Sequence, residues 1–190
     1  MDETPEAYDA QYLATDDPRA QSGFRGSDAR WEAARRTIAR GIDADGALLD
    51  VGCANGLLME SLARWSEHAV EPWGVDFAPG LVELARRRLP AWRDRIFLAD
   101  VRAWTPPRAF DFVHVRLDML ELRASWRELG RRVIVSSDGS FRRPDSLRAE
   151  NVVNVLRARG WNVEGYYERS DEHLVEISVA WTRRDLSGIP

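Results

Sequence analysis

The sequence predicts one α/β domain, built on a doubly wound, mostly parallel sheet of seven strands that ends in an antiparallel hairpin. Short apolar runs alternate with amphipathic stretches of helical length between residues 28 and 160, a pattern typical of parallel strands joined by right-handed crossovers. The last two apolar runs are separated only by residues 169–173, too few for a crossover helix, and therefore predict a hairpin. A chain of 190 residues is long enough for one such domain and too short for two.

Each element has its own signal. Ser27 or Asp28 can cap the first long helix and Gly41 can end it, while Pro79 suits the first turn of a later helix. The last helix carries apolar residues at i, i+3, i+4 and i+7 from Ala149. The strands are expected at residues 47–51, 73–75, 96–98, 110–115, 132–136, 161–168 and 174–181. Helices are expected at residues 28–40, 56–65, 79–89 and 146–159, and a short helix at residues 119–129.

Composition narrows the class of protein. Hydrophobic residues make up 44% of the chain and charged residues 31%, as in an ordinary globular domain. No apolar run approaches the roughly 20 residues of a membrane span, and the acidic start Met1-Asp2-Glu3 does not resemble a secretory signal. These features predict a cytoplasmic protein with no membrane partner. Cys53 is the only cysteine and the three histidines are scattered, so neither a disulfide nor a metal site is expected.

Charge bears on the class of partner. The net charge is −4 and every basic residue is an arginine, the chain having no lysine. Binding to nucleic acid requires a basic surface that neutralises phosphates, and the balance of charge does not favour one. The sequence therefore predicts a small-molecule partner rather than nucleic acid. It says nothing about the oligomeric state.

One segment predicts a ligand site. Residues 48–58 read as a strand that ends at Asp50, a turn of small residues, and a helix that starts near Gly56. Such a turn lets the backbone approach a ligand closely, and the start of the helix offers free N–H groups. A tight turn between strand and helix without any ligand remains an alternative for this segment taken alone.

Two further acidic residues follow strands in order. Asp76 ends the next strand, 20 residues after Gly56, where an α/β nucleotide-binding fold holds the hydroxyls of a ribose. Asp100 ends the third strand, and the strand 110–115 would close the other side of the same crevice. An aspartate after a strand is also a common helix cap, so neither residue is decisive by itself.

These pieces, in this order, resemble the class I S-adenosylmethionine-dependent methyltransferase family over residues 31–181. Residues 50–56 match the family's turn of an acidic residue followed by three alternating glycines, except that Ala54 replaces the middle glycine. The terminal hairpin matches too, and the resemblance implies the strand order 3-2-1-4-5-7-6. A dinucleotide-dependent oxidoreductase is the main rival. Its G-x-G-x-x-G spacing differs from that of Gly52 and Gly56, and the chain has no second domain for a substrate.

The resemblance implies S-adenosyl-L-methionine as cofactor, with S-adenosyl-L-homocysteine as product. The turn would wrap the methionine end, Asp76 would hold the ribose, and Phe77 and Val101 would flank the adenine, whose amino group Asp100 would read. The implied cofactor-binding residues are Asp50, Gly52, Cys53, Ala54, Gly56, Asp76, Phe77, Asp100, Val101 and Val115.

Residues just past the fourth strand are candidates for the acceptor side. Arg116 is a candidate anchor for an acidic group of the substrate, and His114 or Asp118 a candidate general base. His114 lies between two valines, which favours a core histidine over a base, and Asp118 is equally interpretable as a helix cap. The predicted activity is methyl transfer to oxygen or nitrogen of a small molecule. An RNA or protein methyltransferase and a non-catalytic cofactor-binding protein remain alternatives.

The domain organisation follows from these elements. Residues 1–29 are polar, carry isolated aromatic residues and are predicted to form an N-terminal segment that covers the site. Residues 30–183 form the predicted cofactor-binding domain, and residues 184–190 a tail. A plain disordered terminus is the alternative for the first segment.

Overall fold

The sheet has the predicted seven strands in the predicted order. The computed structural model describes residues 4–138, 149–170 and 175–185. The strands are β1 (Gly46–Val51), β2 (Val70–Asp76), β3 (Ile96–Leu98), β4 (Phe110–Arg116), β5 (Gly130–Asp138), β6 (Val163–Ser170) and β7 (Val175–Thr182). They are ordered β3-β2-β1-β4-β5-β7-β6. Strands β1 to β5 pair in parallel and β7 is antiparallel to both of its neighbours, which confirms the predicted fold class.

In the described ranges five α-helices accompany the sheet: α1 (Pro5–Tyr12), α2 (Asp28–Arg35), α3 (Leu57–Trp65), α4 (Pro79–Arg88) and α5 (Ala149–Ala158). Ser27 caps α2 as predicted, because its hydroxyl accepts a hydrogen bond from the N–H of Arg30 at 3.3 Å. Short 3₁₀ helices cover Ala20–Ser22, Arg36–Gly41, Pro90–Arg95 and Leu117–Leu122. None of the helices in the described parts of the chain is long and apolar enough to cross a membrane.

The helix predicted at 28–40 is shorter than expected. It changes to a 3₁₀ helix at Arg36, next to a threonine whose hydroxyl competes for a helix carbonyl. The Thr37 hydroxyl donates to the carbonyl of Ala34 at 2.7 Å. The tighter turns end at Gly41, the residue that the sequence predicted as the stop.

The prediction of a helix at residues 119–129 is wrong. The chain forms a 3₁₀ helix over Leu117–Leu122 and then continues without regular structure to β5. Two side chains explain the difference: the indole of Trp126 donates to the carbonyl of Leu120, and the guanidinium of Arg123 donates to the carbonyls of Val101 and Trp104. The hydrogen bonds of Arg123 to a distant loop, together with the local one of Trp126, outweigh the helical pattern.

The two faces of the sheet bury separate apolar layers. Leu48, Phe112 and Ile134 pack with Trp31 and Ile38 on one face. The alternate residues of the same strands pack on the other face, with Trp126 and the apolar side of α5. Some predicted parts fall partly outside the described residues: 1–3 of the N-terminal segment, 146–148 of the last helix, 171–173 of the hairpin link, 174 of the last strand, and 186–190 of the tail.

Candidate functional site

A cavity of about 220 Å³ opens at the carboxyl ends of β1, β2 and β4, and the N-terminal segment contributes to its wall. Open α/β sheets bind ligands at this edge. The lining residues are Tyr8, Tyr12, Ser22, Gly23, Val51, Gly52, Ala54, Val75, Asp76, Phe77, Leu81, Ala99, Asp100, Val101, Arg102, Arg116, Asp118, Met119 and Leu122. The cavity therefore gathers six of the ten predicted cofactor-binding residues and two of the three predicted catalytic ones.

The turn between β1 and α3, residues 50–56, is called the glycine turn and contributes Gly52 and Ala54 to the floor of this cavity. Gly52, Ala54 and Gly56 all have left-handed backbone angles, with φ of 73°, 47° and 77°. The N–H groups of Gly52 and Cys53 donate to the carbonyl of Val75, which ties the turn to β2. A Cβ atom at Gly52 would lie 3.2 Å from the Met119 side chain, so glycine keeps this part of the floor open.

Asp76 joins the turn to the start of α4. Its side chain is buried, and its two carboxylate oxygens accept hydrogen bonds from the N–H groups of Ala54 at 2.9 Å and Ala78 at 3.0 Å. Burial raises the pKa of Asp76 above its ordinary 3.8, against these hydrogen bonds, which lower it. Each oxygen retains a second lone pair for a ligand hydroxyl.

The adenine side predicted from the sequence lies next to Asp76 in the cavity wall. Phe77 makes an edge-to-face contact with Tyr8, with ring centroids 4.9 Å apart. Asp100 is half exposed and pairs with Arg102 at 2.5 Å, and this hydrogen bond lowers the pKa of Asp100. The carbonyl of Val101 accepts from Arg123 at 2.9 Å, so a residue that the sequence did not single out fixes this loop.

Asp50, Cys53, Gly56 and Val115 are buried and do not contribute to the cavity wall. The carboxylate of Asp50 lies 2.7 Å from Nδ1 of His114, whose Nε2 lies 2.9 Å from the hydroxyl of Ser136. The other carboxylate oxygen of Asp50, Oδ2, is buried and has no hydrogen-bond partner among the residues that the structure describes. Burial raises the pKa of the Cys53 thiol well above its ordinary value, so this cysteine stays protonated and unreactive.

The predicted catalytic residues divide into two groups. Arg116 and Asp118 line the cavity and pair with each other, with Nε of Arg116 3.1 Å from Oδ1 of Asp118. His114 is 1% exposed and lies inside the sheet, away from the cavity wall. Within the described ranges, no three side chains of the types that bind metals cluster into a metal site.

Comparison with known families decides the relationship. The family model described as a methyltransferase domain matches residues 48–134, which run from β1 into β5 and include the turn, Asp76 and Asp100. Residues 48–134 therefore match a methyltransferase domain, and the chain has the fold of class I S-adenosylmethionine-dependent methyltransferases. The family predicted from the sequence is thereby confirmed. A comparison with curated protein sequences gives no significant match.

Solved structures share the fold of this methyltransferase at low sequence identity. The magnesium protoporphyrin IX methyltransferase of Synechocystis PCC 6803 with bound SAH is 13% identical, with a TM-score of 0.62, over 93% of this chain and 96% of that one. A SAM-dependent methyltransferase from Aquifex aeolicus is 14% identical, with a TM-score of 0.59, over 94% and 97%. The (4+2) cyclase SpnF is 18% identical, with a TM-score of 0.63, over 95% and 96%.

Sequence reasoning missed how the N-terminal segment meets the site of this methyltransferase. The carboxylate of Asp9 accepts from the N–H groups of Gly80 and Leu81 at 2.8 and 3.0 Å, at the start of α4. The side chain of Asn55 donates to the carbonyl of Pro18 at 2.7 Å. One sequence signal was available: Ala78, which precedes α4, has no side chain that can cap a helix, so the free N–H groups need an acceptor from elsewhere in the chain or from water.

We expect Ala54→Gly to stabilise the methyltransferase by about 0.5 kcal/mol. A left-handed backbone costs alanine roughly 1–2 kcal/mol, which the substitution relieves. The greater freedom of glycine in the unfolded chain offsets about 0.5–1 kcal/mol of that stabilisation. Chemical denaturation measures the free energy of unfolding. Ala63→Gly, inside α3, is the control and should destabilise by about 1 kcal/mol. Equal losses in the two variants would contradict strain at Ala54.

Proposed function

We propose that this methyltransferase binds S-adenosylmethionine in the cavity and transfers the methyl group to oxygen or nitrogen of a small molecule. The observation that supports the cofactor is the juxtaposition, in one cavity wall, of the glycine turn, Asp76 and Asp100. Directly before Val51 and Gly52 of that wall, Asp50 adds a buried carboxylate oxygen that has no hydrogen-bond partner among the described residues. These groups fit the cofactor, because they offer acceptors for its hydroxyl and amino groups.

Each residue has a proposed role in holding the cofactor. Asp76 accepts hydrogen bonds from the ribose hydroxyls, Phe77 and Val101 pack against the adenine, and Asp100 accepts from the adenine amino group. The turn around Gly52 holds the methionine end. The bound sulfonium supplies an already activated methyl group, so the protein needs chiefly to align the acceptor with it.

The acceptor is proposed to contact the ion pair at the cavity rim. Arg116 would bind an acidic group of the acceptor, and the carboxylate of Asp118 would take the proton that the acceptor's oxygen or nitrogen loses on methylation. His114 lies behind the wall and cannot contact the acceptor in this arrangement.

Two features of the cavity favour a small acceptor over RNA: the charge of its wall, and the N-terminal residues that cover it. Among the described residues, the cavity wall holds two arginines, Arg102 and Arg116, against three aspartates, so it can anchor one acidic group but offers no surplus of positive charge to a run of phosphates. Tyr8, Tyr12 and Ser22 cover the cavity from the N-terminal side. A macromolecular acceptor and a non-catalytic cofactor-binding role are the outcomes that would replace this proposal.

Calorimetry with S-adenosylhomocysteine tests the cofactor, and we expect saturable heat at ligand concentrations below about 1 mM. Titration with NAD is the control and should give no heat. Binding of NAD in the absence of any response to S-adenosylhomocysteine would refute the proposed function.

Methyl-release assays on a panel of metabolites test the acceptor, alongside gel-shift titrations with total RNA at about 0.05 and 0.2 M salt. We expect turnover of at least one metabolite and no specific RNA shift. Submicromolar RNA binding that weakens steeply with salt, with no metabolite turned over, would show that the acceptor is RNA. A cavity that binds cofactor while no acceptor of any class is methylated would favour the non-catalytic role.

Residues 1–29 are proposed to act as a cover that is held partly by Asp9 and tightens on the cofactor. We expect Asp9→Ala to weaken the docking of α1 by about 1 kcal/mol, the usual value of a helix N-cap. Trypsin should then cleave the variant after Arg19 and Arg25 faster than the wild type. S-adenosylhomocysteine should protect the wild type from this cleavage more than it protects Asp9→Ala. Asp16→Ala, at an exposed aspartate of the same segment, is the control. Identical cleavage of both variants, with and without ligand, would rule out the cover.

A further inference from the structure

A row of buried polar side chains crosses the centre of the sheet. Asp50 on β1, His114 on β4 and Ser136 on β5 are each 1% exposed. Asp50 and His114 are register partners, and Ser136 pairs with Arg116, two residues beyond His114. Each of the three follows a core residue (Leu48, Phe112 or Ile134) by two positions on its strand. The row therefore lies on the same face of the sheet as those residues, nearer the carboxyl ends of the strands. Burying three polar groups here is costly unless each is hydrogen-bonded.

The chemistry of the groups sets the direction of the hydrogen bonds. A carboxylate can only accept, so Nδ1 of His114 carries the proton that is donated to Oδ1 of Asp50 at 2.7 Å. In the neutral imidazole Nε2 is then an acceptor, and the hydroxyl of Ser136 donates to it at 2.9 Å. The chain of donation therefore runs from Ser136 through His114 to Asp50.

Within the part of the chain that the structure describes, Oδ2 of Asp50 is the one side-chain polar atom of this row without a hydrogen-bond partner. Leaving a charged oxygen buried and unpaired costs more than the roughly 1–3 kcal/mol of a neutral group, and native structures rarely tolerate it without a reason. Asp50 directly precedes Val51 and Gly52, which line the cavity. Asp50 lies behind the wall, so a cationic donor on a ligand in that cavity would satisfy the oxygen once binding uncovers it.

The row has the residue types of a serine hydrolase triad, but its position excludes that chemistry. A nucleophilic serine must reach a substrate carbonyl, whereas Ser136 and His114 are both buried and absent from the cavity wall. The row can act only through Asp50.

We propose that His114 and Ser136 are positioning residues that hold the Asp50 carboxylate with Oδ2 presented to the primary ammonium of the cofactor's amino-acid end. The inference rests on the proposed function, because the ammonium belongs to S-adenosylmethionine. It gives His114 a role in cofactor selection and none in proton transfer from the acceptor. It also predicts that the row affects ligands with an α-amino group and spares those without one.

A pair of ligands tests this selectivity. S-adenosylhomocysteine carries the amino-acid end, whereas 5′-methylthioadenosine has the same adenosine and thioether without it. We expect His114→Phe to weaken S-adenosylhomocysteine by at least about tenfold, the loss expected for a hydrogen bond to a charged group, and 5′-methylthioadenosine by less than twofold. His114→Asn, which can keep a donor towards Asp50, should recover most of the loss.

Ser136→Ala is a second, milder variant if His114→Phe does not fold, and should weaken S-adenosylhomocysteine about threefold with 5′-methylthioadenosine unchanged. Ser61→Ala, at another buried serine, is the matched control and should leave the ratio of the two affinities unchanged. Parallel changes for both ligands, or no change in either with folded His114→Phe or Ser136→Ala, would overturn the inference. A wild-type protein that binds neither ligand would instead refute the proposed function.

Discussion

Asp76→Ala should weaken the binding of S-adenosylhomocysteine by about 1.5–3 kcal/mol, the value of hydrogen bonds to a charged group. The side chain is 7% exposed in the cavity wall, and its carboxylate also accepts from the N–H groups of Ala54 and Ala78. Calorimetry measures the change in affinity, and thermal unfolding shows whether the turn survives. Asp94→Ala, at an exposed aspartate, is the control. An affinity within twofold of the wild type would remove Asp76 from the proposed ribose site.

The same carboxylate predicts a dependence of binding on pH. Burial raises the pKa of Asp76 above 3.8, and only the ionised form can accept from two ribose hydroxyls as proposed. Affinity for S-adenosylhomocysteine should therefore fall on acidification, starting at a higher pH than an ordinary aspartate would give. Folding stability responds in the opposite sense. The folded state holds this proton more tightly than the unfolded chain does, so Asp76 favours folding at low pH and loses that effect as the pH rises through its raised pKa.

Asn55→Asp should release the N-terminal segment from the glycine turn. The Asn55 side chain is fully buried, donates to the carbonyl of Pro18 at 2.7 Å and to Oε1 of Gln21 at 3.3 Å, and accepts from the N–H of Leu57 at 3.1 Å. Aspartate retains the acceptor at the start of α3 but has no donor for the other two contacts. Losing two hydrogen bonds at about 1 kcal/mol each, with a new charge facing two oxygens, should cost docking at least about 2 kcal/mol.

The expected result is faster tryptic cleavage after Arg19 and Arg25 and weaker binding of S-adenosylhomocysteine, with the rest of the domain still folded. Asn154→Asp makes the same chemical change at an exposed position of α5 and is the control. If Asn55→Asp is cleaved at the wild-type rate and binds ligand equally well, then the hydrogen bonds of Asn55 do not hold the N-terminal segment.

The parallel sheet and the terminal hairpin were predictable because they follow from the alternation of apolar runs and from the short link between the last two, whereas the strand order was implied by the resemblance to the family. The periodicity of a segment is set by which face it buries, and that information is local. Departures occur where distant groups compete with local pattern. The helix predicted at 119–129 is absent because Arg123 donates to carbonyls that belong to the loop after β3.

The sequence alone determined the methyltransferase fold and brought the turn, Asp76 and Asp100 to one edge of the sheet, since parallel strands place their carboxyl ends together. Only the tertiary structure decided the environment of each side chain. The sequence left His114 open as a base or a core residue, and the register of β1, β4 and β5 places it between Asp50 and Ser136. Asp9 caps a helix that starts 70 residues later, because the helix's own N-cap residue, Ala78, has no side chain that can do so. Such contacts depend on packing between distant segments, which no local pattern encodes.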